Sequence, residues 1–226
     1  MKEKRFLRLI GNVIIFSIIT LIGFTSFVDF RANTATITPV IGGDGNINTV
    51  SIAFRVIGGE EIDKTLEILE KNDVIATFFV GGKWAFENEE NLIKIASKNH
   101  EIGNHGYLNR DFSALNYKEA KEDLKTCERV IENICGYKTV LFMPPRGKYN
   151  NSTLVACDEL GYKMVLSTKR AISDDSGEVK SISISANAGD IILLSPNEGT
   201  LEVLDEIIKG IKSRGFKIKS VGANIA

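Results

Sequence analysis

Histidine is scarce in this 226-residue chain, which has only His100 and His105. A catalytic zinc site takes three N, S or O donors from the protein and leaves a position open for water; a structural site takes four. A metal centre here would have to draw most of its ligands from other residue types. Cysteine gives little help. Cys127, Cys135 and Cys157 are odd in number and contain no CxxC pair, which argues against both a disulfide framework and a zinc cluster. Cys127 and Cys135 are eight residues apart, so on one helix their Cα atoms lie ~12 Å apart, too far for a bond. Buried structural thiols are the expectation. An excess of either charge is missing too: 28 Lys and Arg stand against 29 Asp and Glu. No global basic field exists to attract nucleic acid. The chain also lacks internal repeats and low-complexity tracts.

What is present begins with an N-terminus unlike the rest. Lys2, Lys4, Arg5 and Arg8 precede an uncharged run from Ile10 to Val28. At ~1.5 Å per residue, a helix over that run nearly covers the ~30 Å hydrocarbon core of a bilayer. The basic flank stays inside, which puts the remainder outside the cytoplasm. The run is long for a secretory signal and no clean small-x-small site follows it, so an uncleaved anchor is preferred, with secretion after signal cleavage as the alternative. The expected organisation is a cytoplasmic tail over 1–9, a single transmembrane span over 10–28, a linker over 29–48 and a domain over 49–226. The linker reading rests on Thr, Asn, Gly and Ile without a sustained period, including Gly42-Gly43-Asp44-Gly45.

From Val50 onward, apolar strands alternate with amphipathic helices. Strands are expected at Val50–Phe54, Ala76–Val80, Glu101–Gly103, Val140–Met143, Lys163–Leu166, Asp190–Leu194 and Phe216–Val221. Helices are expected at Ile62–Asn72, Asn91–Lys98, Tyr117–Ile134, Ser152–Leu160 and Leu201–Arg214. This order implies an α/β fold with a parallel sheet covered by helices, either a (β/α) barrel or a doubly wound sheet. In both, ligands gather at the C-terminal ends of the strands.

Five landmarks occur in one register: Ala76-Thr77-Phe78-Phe79-Val80-Gly81, His100-Glu101-Ile102-Gly103-Asn104-His105, Pro144-Pro145 with Gly147, Tyr149 and Asn150, Glu159-Leu160-Gly161-Tyr162, and Gly189-Asp190-Ile191-Ile192-Leu193-Leu194. Together they resemble the polysaccharide deacetylase family, also called the NodB homology domain or carbohydrate esterase family 4, over about Val50 to Val221. The resemblance implies a distorted seven-stranded (β/α) barrel that removes N- or O-acetyl groups from cell-surface glycans. It also implies a divalent metal, usually zinc, held by one Asp and two His, which polarises the acetyl carbonyl and binds the attacking water. A second Asp acts as base, and a His protonates the leaving amine.

At the corresponding positions this chain carries other chemistry. The family's Thr-Phe-Asp-Asp-Gly matches Ala53-Phe54-Arg55-Val56-Ile57. Arg55 replaces the base and cannot accept a proton, and Val56 replaces the metal carboxylate. The His-x-x-x-His pair becomes His105 and Asn109, whose amide oxygen is a poor zinc donor beside imidazole. Met143-Pro144-Pro145-Arg146 replaces Arg-Pro-Pro-Tyr, the Asp after the next strand aligns near Arg170, and Ser195 replaces the leaving-group His. Only His105 is retained among the metal ligands and main acid-base groups, and His100 falls at a family position that is structural.

The expected protein is therefore a membrane-anchored, deacetylase-like protein of cell-envelope carbohydrate metabolism. It would be catalytically inactive, needing no cofactor and acting by binding glycan or a protein partner. Arg55, His105, Asn109 and Arg146 form its expected ligand pocket, with Arg170 nearby. Arginines suit planar recognition of carboxylate or phosphate, which points to an anionic glycan. The competing account leaves them in solvent, or paired with acids such as Asp111. Trp84 and Tyr107 are placed either to stack on sugar rings or to pack. Two other readings stay open: an active glycan N- or O-deacetylase with zinc recruited through His105, and a purely structural partner of an active paralogue.

Overall fold

The structure is a computed structural model describing residues 15, 17, 18, 20, 37–58, 61–173 and 175–226. The chain divides into two units, Met1–Ile37 and Thr38–Ala226. In the first, residues 15, 17, 18 and 20 are helical. The rest of the expected span at 10–28 and the tail at 1–9 lie outside the described residues. Among the described residues no helix is long and apolar enough to cross a membrane.

Among its described residues the second unit is built on nine strands: β1 (Val40–Ile41), β2 (Thr49–Val56), β3 (Thr77–Val80), β4 (Glu101–Asn104), β5 (Leu141–Phe142), β6 (Lys163–Leu166), β7 (Lys169–Ala171), β8 (Ile191–Leu194) and β9 (Lys217–Ile218). They follow the path β1-β6-β5-β4-β3-β2-β8-β7, with β9 added beside β2. Every pairing is parallel. β2 is central and nearly all buried. Its period of two sends Ile52, Phe54 and Val56 outward into the main apolar layer with the helices. Ala53 faces the other way, into a smaller cluster with Phe79, Leu141, Met143, Val165 and Leu193 inside the curl. Arg55 shares the parity of Ala53 and so points inward at the C-terminal end of the strand.

The outer layer is supplied by helices of the expected spacing. Ile62–Lys71 buries Ile62, Leu66 and Leu69. Tyr117–Cys135 buries Ala120, Leu124, Cys127 and Ile131, a repeat of three and four. That helix starts at an Asn116–Glu119 capping box and stops at Gly136, whose φ of 67° suits a residue without a Cβ. Cys127 and Cys157 are buried, Cys135 is half-buried, and all three thiols are free. Burial pushes the Cys157 thiol up to about 12 and the Cys127 thiol further still.

Several expectations need correction. The sheet is a curled parallel half-barrel of nine strands, with β1 and β7 at its ends, rather than seven strands. β1 and β7 are two and three residues long, too short to show alternation. β1 also moves the start of the folded unit into the expected linker. Val40 and Ile41 pair with Val165 and Leu166, and Gly43 N–H donates to Gly189 O at 2.8 Å. The expected strand over Phe216–Val221 keeps only Lys217–Ile218, because Val221–Asn224 turns into a short helix. Its first amides find acceptors on the sheet: Val221 N–H donates to Thr77 Oγ1 at 2.8 Å and Gly222 N–H to Glu101 Oε2 at 2.9 Å. Helices at Gly82–Glu87 and Ser176–Ser185 were not legible in the pattern. The second is rich in Ser and β-branched residues, which are indifferent helix formers, and Asp175 starts it by accepting from the Gly177 and Glu178 amides.

Candidate functional site

A cavity of about 270 Å³ opens at the C-terminal ends of the strands, lined by Arg55, His105, Met143, Pro144, Arg146, Gly147, Leu166, Ser167, Arg170 and Leu193. Each lining group is delivered by a strand or the loop that leaves it. Arg55 ends β2, and His105 follows β4, held by its own N–H to Val80 O at 3.0 Å. Arg146 sits in the turn after β5, Ser167 follows β6, and Arg170 lies on β7. Parallel strands bring these distant positions together because all their C-terminal ends lie on one side.

Arg55 is half-buried, and its Nη2 donates to Ser195 Oγ at 3.1 Å. Base and leaving-group acid positions are therefore bridged by a guanidinium–hydroxyl bond, a pair that can neither take up nor supply a proton near neutral pH. Arg170 Nη1 donates to the Arg146 carbonyl at 3.3 Å, which ties β7 to the turn after β5. Arg146 has φ 57° and ψ 11°, a left-handed conformation that costs a residue with a Cβ ~1–2 kcal/mol. His105 is 1 % exposed, and its ring interacts with the Met143 backbone but neither ring nitrogen makes a well-formed hydrogen bond. Burial, and then the Arg55 cation, push its imidazole down to about 3, with the Met143 backbone opposing and Arg170 adding. The ring is neutral at physiological pH, with one N–H to give and one lone pair to fill.

The residues do not fit a zinc centre. Val56 is fully buried in the outer apolar layer and takes no part in the cavity. Asn109 lies outside the lining, contrary to the expected pocket. The chain turns away after His105 through Gly106 (φ 78°) and Asn109 (φ 53°), and the Tyr107 amide is held by Asp123 Oδ1 at 2.6 Å. No group of three or more His, Cys, Asp or Glu stands together among the described residues. Arg55 and Arg170 add positive charge where a cation would lie.

Other expected roles resolve as packing. Trp84 is 4 % exposed in the outer core, and Tyr107 packs against the same core and lines a different cavity. Asp111 pairs with Lys148 at 3.1 Å rather than with an arginine. His100 is structural, its Nδ1 accepting the Ala76 amide at 3.2 Å. Met143, Ser167 and Leu193 were missed as lining residues. Their only signal in the sequence is a place at or just past a strand end, which many residues share.

Fold and site together define a curled parallel α/β half-barrel with an arginine-lined cavity at the C-terminal ends of its strands. The family model for polysaccharide deacetylases matches residues 42–165. The chain belongs to the polysaccharide deacetylase family. It is 32% identical over 185 residues to the uncharacterised Bacillus subtilis protein YlxY, an alignment covering 78% of this chain but only 58% of that protein. It is 26% identical over 189 residues to the B. subtilis peptidoglycan-N-acetylmuramic acid deacetylase PdaA, covering 78% of this chain and 72% of the relative. Among solved structures it resembles a carbohydrate esterase family 4 pseudoenzyme from Bacillus anthracis, with 27% identity and a TM-score of 0.80 over 84% of this chain and 70% of that one. A mutant of that pseudoenzyme, described as having restored enzymatic activity, superimposes with the same TM-score of 0.80.

Proposed function

We propose that this chain is a non-catalytic, deacetylase-like domain that binds cell-envelope glycan, held at the outer face of the membrane by a helix over Ile10–Val28. The observation that carries the reading is the Arg55–Ser195 bond, which occupies the base and acid positions with groups that cannot move a proton. The absence of Val56 and Asn109 from the cavity supports it, since two of the three metal donors have no counterpart there. Likeness to a pseudoenzyme supports loss of chemistry on a retained scaffold. The PdaA resemblance directs the ligand to peptidoglycan, and the mixed N-terminal pattern of basic flank and apolar run directs the domain to the outside.

Two experiments test this. The purified full chain should release no acetate from acetylated chitooligosaccharides or peptidoglycan, with or without added zinc, yet should be retained by insoluble peptidoglycan. Acetate release above a buffer control, or passage through the peptidoglycan without retention, would sink the proposal. For topology, protease added to wall-stripped cells should digest the domain; full protection would place it inside.

A further inference from the structure

The replaced centre carries more than loss. Arg55, Arg146 and Arg170 reach one cavity from three different strand ends, and no carboxylate lines it among the described residues. In the same cavity His105 is buried with no well-formed hydrogen bond on either ring nitrogen. A buried polar group left unsatisfied is expensive and rare, and its persistence calls for an explanation such as a ligand. The cavity holds several times the ~30 Å³ share of one water but falls below the ~300–1,000 Å³ of drug-sized sites. It therefore admits a substituent, not a whole oligosaccharide.

We infer that the former metal position is now an oxyanion site, taking the carboxylate or phosphate of an acidic amino sugar between Arg55 and Arg170 with a bond from the His105 ring N–H. The inference rests on the glycan-binding reading above and deepens it, since it names the acidic substituent as the feature read. The logic is charge replacement. A deacetylase cavity brings a metal cation to a polarised oxygen; here fixed guanidinium groups supply positive charge, and their planar forks match a carboxylate or phosphate edge. The bond from Arg55 to Ser195 holds one edge of that fork in place, and the bond from Arg170 to the Arg146 carbonyl holds the second, so both cations are oriented before a ligand arrives. Neutral His105 contributes a donor without needing to be charged.

The test is calorimetric titration of the full chain in detergent at low salt with three sugars sharing one ring: N-acetylmuramic acid (carboxylate), N-acetylglucosamine 6-phosphate (phosphate) and N-acetylglucosamine (neutral). At least one acidic sugar should bind about 10-fold or more tightly than the neutral one, and the preferred arm identifies the anion. Arg170→Gln, an exposed position where folding is safe, should weaken the acidic sugar about 10-fold and the neutral sugar much less. Arg55→Gln should do the same, and the double variant should lose less than the product because both touch one group. His105→Leu should raise the melting temperature of the free protein while weakening the acidic sugar. That split is one a merely structural histidine would not give. Equal binding of all three sugars, unmoved by Arg170→Gln, would overturn the oxyanion site and leave the glycan reading standing. Arginine-dependent binding of inorganic phosphate with no binding of any sugar would do the reverse.

Discussion

At the N-terminal ends of the strands, polar side chains bind one another. Thr49 Oγ1 donates to Asn224 Oδ1 at 2.5 Å, Thr77 Oγ1 donates to Glu101 Oε2 at 2.6 Å while accepting from Val221 N–H, and Glu101 also takes the Gly222 amide. At the C-terminal ends, Arg146 is held left-handed, and guanidinium groups crowd one small cavity. The two ends share strands, yet the polar groups of one are largely buried and satisfied by the fold, whereas the other exposes Arg146 and Arg170 and buries His105 without a well-formed hydrogen bond. Strain and an unsatisfied imidazole concentrate at the cavity end, and the saturated end supplies the rigidity that lets them persist.

The contrast can be broken most severely by rebuilding the ancestral centre. Arg55→Asp, Val56→Asp and Asn109→His together restore the family's residue types, yet the variant should bind no more zinc than the parent, because position 56 faces the outer apolar layer and position 109 lies outside the cavity. Without zinc it should be less stable than the parent, because an Asp at position 56 replaces a fully buried valine. Activity need not return, since Ser195 and Arg146 still alter the acid and oxyanion positions. A folded variant that gains stoichiometric zinc would show that positions 56 and 109 can turn into the cavity beside His105.

At the saturated end, Glu101→Ala should lower unfolding free energy by ~3 kcal/mol, since it strands the Thr77 hydroxyl and the Gly222 amide. Urea denaturation measures this, and a loss below ~1 kcal/mol would mean the C-terminal latch contributes little. Arg170→Gln at the other end should change stability by less than ~0.5 kcal/mol.

Both histidines should resist protonation. Burial, then Lys98, lower His100 from its ordinary 6.5 to about 4 against the pull of Glu70, and His105 falls to about 3. A base whose pKa is depressed by folding contributes stability above its unfolded value. That contribution is lost as pH falls from about 6.5 through about 4 and 3, because the unfolded chain takes up the proton first. Proton NMR titration should find both imidazoles neutral at pH 5; a midpoint near 6.5 for either would contradict its burial.

The smallest effect concerns the turn. Arg146→Gly should raise stability by ~0.5–1 kcal/mol by removing left-handed strain, less the extra freedom glycine gives the unfolded chain. If stability falls instead, the arginine side chain holds the turn in the free protein.

Much of the architecture was legible because its signals are local. Ile62, Leu66 and Leu69 recur at helical spacing, and Ala76-Thr77-Phe78-Phe79-Val80 is a short apolar run, so element type and order follow from periodicity alone. β1 and β7 were not legible: strands of two and three residues carry no period and exist because neighbours offer hydrogen bonds. The helix at Val221–Asn224 defeated the pattern for a similar reason, since the sheet-borne Thr77 and Glu101 start it. At the site, motif order placed Arg55, His105, Arg146 and Arg170 near one another, and the cavity gathers all four. Asn109 failed because the turn at Gly106 carries it away, and Trp84 stayed open between stacking and packing until the structure placed it in the core, because an aromatic near a loop reads alike in either role.

By itself, then, the amino-acid sequence determined which residue types stand at the family's site positions. Two histidines, an arginine for a base and a valine for a carboxylate are facts of composition and order, and no folding can supply a missing ligand. Only the tertiary structure decided what the substitutions became. Whether Arg55 meets solvent, an acid or Ser195 depends on groups 140 positions away in the chain. Whether His105 is satisfied depends on which strand ends surround it. Those are properties of long-range packing, in which the same side chain can be an idle remnant or a poised donor.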